Sequence, residues 1–234
     1  MSMSINLDFG MLIRSDHISA ILSGVGVMLE MTLLAWLLAM AVGVVLATLR
    51  MTNSRILQGF VASYVEFHQN VPMLVHIFLW YFGFPALLPL AAQVWINGYD
   101  SGFIFATIAV GLVMAAYISE ALRGGIRSIP HAQFEASRAL GLSYLQTARK
   151  VIFPQAFRIA LPPMVSHTVL LFKNTSLAMA IGVAELTYVT REIENTTFKT
   201  FEIYLLSTMI YLSISLMILA TGSWLEARWR LVER

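Results

Sequence analysis

Four ionisable side chains interrupt long apolar runs: Glu30, Glu66, Glu120 and Lys173. A charge at the centre of a bilayer costs about 2.5–3.5 kcal/mol on insertion scales, so such a group faces a cavity or a partner. Lys173 heads an unbroken polar patch, Lys173-Asn174-Thr175-Ser176. Four polar residues in succession cover every side of a helical turn, so some face protein and the rest can line a water-filled path. Two readings stand side by side. In one, the patch receives the carboxylate, ammonium or side chain of an amino acid. In the other, Lys173 pairs internally with Glu120 or Glu66, and the remaining groups make interhelical hydrogen bonds. Glu66, His68, Gln69 and Asn70 precede Pro72. They either line a pathway beside a flexible kink or satisfy the kink locally through the Gln69 and Asn70 amides. Glu120 stands three residues before Arg123, the spacing of a helical ion pair, and Glu30 suits an interhelical bond.

Other chemistry lacks its residues. There is no GxxxxGK[ST] phosphate loop, and Gly124-Gly125 at a span end suits close helix packing or a turn. The five histidines form no metal-binding pattern, the chain has no cysteine, and no Ser-His-Asp arrangement stands out. Neither a catalytic site, a bound cofactor nor a nucleic-acid partner is expected.

The elements that must position these residues are membrane spans. Of the 234 residues, 58% are hydrophobic and 12% charged, about half the charged share of roughly 25% in soluble domains. Apolar runs of about 20 residues mark spanning helices. They lie near 20–49, 56–84, 102–122, 163–181 and 201–225, which makes an all-α integral membrane protein of five spans. A split of the second run at Asn70-Val71-Pro72 would make six segments. The first run is too long for a cleaved signal and reads as a retained span. Residues 1–19 form an outer segment, 20–228 the membrane domain and 229–234 an inner tail. The stretches 85–101 and 185–200 read as external connectors, with Trp95 and Tyr99 as interfacial anchors.

Eleven of the 15 Lys and Arg fall on one side of this arrangement, including Arg230 and Arg234 in the tail. Arg14, Arg191 and Lys199 fall on the other, and Lys173 lies within a span. The positive-inside rule then puts the N-terminus outside and the C-terminus in the cytoplasm.

The same rule puts the loop of about 128–158 in the cytoplasm. Pro130 enters a helix, which ends at Gly141, a residue suited to a left-handed cap. Ser143 with Gln146 forms a capping-box pattern, so a second short helix runs to about Ile152 and Pro154 closes it. Arg138, Arg149 and Lys150 make the element basic.

This loop resembles the coupling loop of ATP-binding-cassette importer permeases. That family's pattern is Glu-Ala-Ala, three residues, Gly, nine residues, Ile, one residue, Leu-Pro. Here Glu135, Ala136, Ser137, Gly141, Val151, Phe153 and Pro154 keep the full spacing, with Ser137, Val151 and Phe153 substituted by similar residues. The flanks YISEALRGGIRSIPHAQFEAS and PQAFRIALPP resemble the polar amino acid branch, although Ala132 stands where that branch often has Gly. The family's fourth core helix often carries a KNTS or KDTS stretch near the pathway, and Asn70-Val71-Pro72 resembles its Thr-Pro or Ile-Pro segment. The likeness runs from about residue 20 to the C-terminus.

The resemblance implies a type I importer permease core in a bacterial inner membrane, with cytoplasmic coupling helices. Glu135, Ala136, Ser137, Arg138 and Gly141 would meet a partner ATPase. Lys173, Asn174, Thr175, Ser176, Glu66 and Glu120 would line the path. Two ATPase subunits would use ATP and Mg, a second permease would complete the path, and an extracytoplasmic solute-binding protein would deliver the amino acid. Asn174 beside Lys173 leaves the patch net positive, which favours glutamate or aspartate. The alternatives are an ion-coupled secondary transporter, against which the lack of an inverted repeat counts, and a non-conducting assembly subunit.

Overall fold

Proline and glycine set the punctuation of an otherwise continuous helical chain. The computed structural model describes residues 7–229, and the side chains of all of these except Met11 and Asn97. Residues 1–6 of the expected outer segment, and the tail beyond Trp229 with Arg230 and Arg234, lie outside the described residues.

The first long helix, α1, is Ser15–Arg50. Ser54 then caps α2, Arg55–Asn70, by accepting the Leu57 N–H at 3.4 Å. Pro72 ends α2, because a residue preceding proline is driven out of the helical region. Val71 is accordingly extended, at φ −96° and ψ 133°. The next helix, α3, is Met73–Ala86. It contains a π-turn at Leu79–Gly83 immediately before Phe84-Pro85. A short α4 at Leu90–Asn97 and the long α5 at Ser101–Arg127 follow.

The loop after α5 folds largely as its residues dictate. Helix α6, His131–Ala139, starts behind Pro130. Gly141 takes φ +79°, a left-handed conformation that glycine adopts without penalty. The Ser143 hydroxyl accepts the Gln146 N–H at 3.3 Å, and the Gln146 side chain accepts the Ser143 N–H at 2.8 Å, which completes the expected capping box. The expected stop at Pro154 does not occur. Helix α7 runs from Tyr144 to Ile181. A π-turn at Ala148–Ile152 precedes Phe153-Pro154, and the Phe153 N–H reaches back to the Ala148 carbonyl. Widening the turn accommodates the missing proline donor without ending the helix. Pro162 and Pro163 also lie inside α7. Its final stretch, Thr175–Ile181, tightens to a 3-10 helix and stops at Gly182, φ +83°.

Helix α8, Leu186–Thr197, occupies the stretch expected to be an external connector. It follows α7 at a bend of 49°. Leu186, Thr190 and Ile193 form its buried stripe at helical spacing. Phe198 ends it at φ 56°, and α9, Thr200–Trp229, closes the described chain.

Among the described residues three helices are each long and apolar enough to cross a bilayer, namely α1, α5 and α9, and the bent α7–α8 pair adds a fourth if it crosses as one broken span. The expected span at 56–84 is the exception. Its break at Val71-Pro72 leaves α2 with 16 residues and α3 within the range of short apolar helices. A bilayer needs about 20 residues in one helix.

The chain divides into two compact units. Of the described residues, one comprises 7–35, 73–110 and 172–216. Met31, Ala106, Ala178 and Val183 form a core cluster there, with Val27, Phe103 and Ile181 packed on it. The other comprises 36–72, 111–171 and 217–229. Leu46, Val61, Val65, Ala115 and Ala116 form a cluster in it, and the Tyr64 hydroxyl donates to the Leu112 carbonyl at 2.7 Å. Trp36 donates its indole N–H to Thr168 at 3.1 Å. Gly125 packs against Ala156 and Ala160 so closely that a Cβ there would collide with the Ala156 carbonyl. Close packing is thus the role of Gly125, while Gly124 meets nothing within 4 Å.

Candidate functional site

The polar patch lies where α7 changes from an α-helix to a 3-10 helix. Lys173 and Asn174 are the last α-helical residues, and Thr175 opens the 3-10 stretch. The buried Thr175 hydroxyl donates to the Phe172 carbonyl at 2.7 Å, and the Ser176 hydroxyl donates to the Lys173 carbonyl at 2.7 Å. Both hydroxyls therefore satisfy their own helix. The Lys173 ammonium is exposed and makes no salt bridge among the described residues. The internal ion pair considered for Lys173 is absent among the described residues. The groups left for a solute are the Lys173 ammonium and the half-buried Asn174 amide.

The two glutamates are already engaged. Asn70 donates to the Glu66 carbonyl at 2.7 Å and to its carboxylate at 2.9 Å, so the amide closes the end of α2 as the local reading of the kink expects. Glu120 accepts the Arg123 Nε–H at 2.9 Å on both oxygens, and Arg123 also bonds it through Nη2. Arg50 stands 3.9 Å away. The expected i,i+3 pair is present, enlarged by a second arginine. Glu30 is exposed on α1 and makes no hydrogen bond among the described residues, so the interhelical bond expected for it is not formed.

The coupling loop has an inner and an outer side. Ile129, Ile152 and Ala156 are buried together, with Ile126, Phe134 and Val151 packed on them. Gln155 ties the loop to α6 by a 2.6 Å bond to Gln133. Ser137 is buried and donates to the Gln133 carbonyl one turn back in α6 at 2.7 Å, so it lies on the inner side of that helix. The other expected contact residues point outward. Glu135 and Ala136 are exposed, and among the described residues the Glu135 carboxylate pairs with the exposed His131 ring alone, at 3.2 Å. Arg138 donates to the Leu142 carbonyl at 3.1 Å and so closes the turn around Gly141. Three apolar residues missed in the sequence stand beside them: Leu140, Tyr144 and Leu145 are 82%, 75% and 74% exposed. The signal was available, since an apolar side chain on each side of an exposed glycine turn has no core to enter. An apolar groove of about 510 Å³ lies in the same unit, with Val44, Met51, Ile126, Phe134, Tyr144 and Phe157 on its walls.

Among the described residues no three His, Cys, Asp or Glu side chains converge to hold a metal. The chain presents a cationic patch in one unit and an outward-facing glycine turn in the other.

Residues 39–231 match the family described as the binding-protein-dependent transport system inner membrane component, and the chain belongs to it. Among individual proteins, it is 30% identical to the glutamate/aspartate import permease protein GltJ of Escherichia coli (strain K12), over 98% of this chain and 97% of that one. It is 33% identical to the probable glutamine ABC transporter permease protein GlnM of Bacillus subtilis (strain 168), over 84% of this chain and 89% of that one. Its fold matches a crystal structure of an amino acid ABC transporter with histidines at a TM-score of 0.83 and 26% identity, covering 96% of this chain and all of that one. A structure of the methionine transporter MetNI in an inward-facing conformation matches at a TM-score of 0.74 and 18% identity, a likeness of fold alone.

The protein is therefore a multi-pass inner membrane permease subunit of an amino acid ABC importer. It is not itself the enzyme: ATP is hydrolysed by separate ATPase subunits of the complex.

Proposed function

We propose that this permease carries acidic amino acids, glutamate or aspartate, with the Lys173-Asn174-Thr175-Ser176 patch as the part of the path that meets them. The observation that carries this is the Lys173 ammonium, which has no salt bridge among the described residues and sits in α7, part of the bent, apolar α7–α8 pair. Glu120 is paired with Arg123 and Arg50, and Glu66 accepts a hydrogen bond from Asn70. An uncompensated cation favours an anionic solute. The likeness to GltJ agrees with this reading.

The remaining assignments follow the same reading. The N-terminus faces outward and the C-terminus the cytoplasm, as the Lys and Arg bias favours. Glu135, Ala136, Arg138 and Gly141 meet an ATPase subunit, while Ser137 is buried on the inner side of the helix that presents them. Two ATPase subunits, a second permease and an extracytoplasmic binding protein complete the transporter. ATP-driven closure of the ATPase pair moves the coupling loops, and the path alternates between its inner and outer openings.

Reconstitution of the full transporter in liposomes tests the substrate. Glutamate and aspartate should compete for uptake where glutamine, histidine and arginine do not. Lys173→Gln should lower acidic amino acid uptake by about tenfold or more, the loss of one charge-assisted bond. Equal competition by glutamine or arginine would overturn the acidic assignment. Gradient-driven uptake without the ATPase would overturn the coupling.

A further inference from the structure

Glu185 is fully buried, at 0% exposure, between the 3-10 stretch of α7 and the start of α8. One of its carboxylate oxygens accepts the Tyr188 N–H at 2.9 Å. The other accepts the Thr187 N–H at 2.9 Å and the Tyr211 hydroxyl at 2.9 Å. Tyr211 also shares a 2.8 Å hydrogen bond with the Thr187 hydroxyl. Thr190 on α8 and Ser207 on α9 are bonded hydroxyl to hydroxyl, a second polar tie within this unit.

Tyr211 makes a further contact. Its ring packs on Phe172, with centroids 5.5 Å apart. Phe172 immediately precedes Lys173, and Glu185 lies just beyond the end of the 3-10 stretch. A single side chain on α9 thus touches both ends of the segment that carries the polar patch. Helix capping alone does not require this arrangement. A Ser, Thr or Asp cap uses one short side chain at a half-exposed position. A buried carboxylate persists only when several donors compensate its lost hydration. Here the second oxygen is turned to Tyr211, which makes the cap an anchor between two helices.

We propose that Glu185 and Tyr211 are positioning residues for transport. They brace the Thr175–Ile181 stretch from both ends and so hold Lys173 and Asn174 in place for the passing solute. The inference rests on the reading of the patch as part of the path, and its test separates the two.

The test uses the complete reconstituted transporter. This chain has no cysteine, so Ser176→Cys gives a single thiol in it, and its labelling by a maleimide is followed on this chain by mass spectrometry. Glu185→Gln and Tyr211→Phe should each raise the labelling rate at Ser176→Cys by about fivefold or more, while an exposed control, Leu90→Cys, keeps its rate. The same variants should raise the half-saturating substrate concentration for uptake by about tenfold, with a smaller change in maximal rate. Glu185→Asp keeps the cap but falls short of Tyr211, so it should behave like Tyr211→Phe. Unchanged labelling in both Glu185→Gln and Tyr211→Phe overturns the brace. If Glu185→Gln fails to assemble, Tyr211→Phe decides alone, since it retains the ring against Phe172. Labelling that rises in these variants while Lys173→Gln leaves uptake intact supports the brace and removes the patch from the path.

Discussion

At the scale of single residues, burial and partners sort the charged groups. Glu120 and Glu66 are tied to neighbours one helical turn away, and such pairs contribute locally. Glu135 differs. It is exposed, and its one partner among the described residues is the still more exposed His131, a pair that adds little to stability. Glu135→Ala should therefore leave the unfolding temperature of the purified chain unchanged. It should lower both recovery of the ATPase subunit on affinity purification and ATP-dependent uptake, by about tenfold each if the carboxylate is a central contact. Unaltered recovery and uptake would remove it from the coupling surface. The sequence made Glu135, Gly141 and Lys173 legible because each breaks its local pattern. It hid Glu185, because the residues after it, Thr187, Arg191 and Glu192, read as a solvated connector. The buried stripe of Leu186, Thr190 and Ile193 was present at helical spacing, but its middle member is polar.

At the scale of elements, the sequence announces where helices begin more plainly than where they end. Pro130 and the Ser143–Gln146 box each start a helix where local chemistry places one. Proline was the less dependable signal. Pro72 divides the second apolar run, whereas Pro154 sits inside α7. The difference lies in the turn before it, since a π-turn absorbs the lost donor at Pro154 while Val71 becomes extended at Pro72. Gly141 gives a direct test at this scale. Its φ is +79°, and no atom lies within 4 Å of where a Cβ would stand, so a side chain there meets backbone strain and no steric clash. Gly141→Val should cost about 1–2 kcal/mol in the turn. Expected results are faster amide exchange across residues 138–146 and weaker recovery of the ATPase subunit, with the long helices keeping their protection. Gly141→Asn should retain most of the wild-type behaviour, because asparagine tolerates this conformation.

At the scale of the whole molecule, much of the surface of two helices is left for other molecules. In its most apolar window α1 is 28% buried and α9 only 11% buried within this chain, against 61% for α5. Lipid and neighbouring subunits must cover the rest, in keeping with a permease that works as part of a complex. Orientation can be measured directly on a chain without cysteine. Tyr99→Cys should react with a membrane-impermeant maleimide added outside spheroplasts, and Leu145→Cys only after the membrane is opened. The reverse pattern would invert the assignment made from Lys and Arg.

Tyr144 and Thr168, the residue that accepts the Trp36 N–H, lie on one helix, α7. Adding or removing one residue anywhere between them would swing one end about the axis by roughly 100° relative to the other. Surface loops can drift in length through evolution, but this stretch cannot do so without losing its phase. The widened turn at Ala148–Ile152 is the one place in it where the backbone already holds a residue more than a regular turn requires.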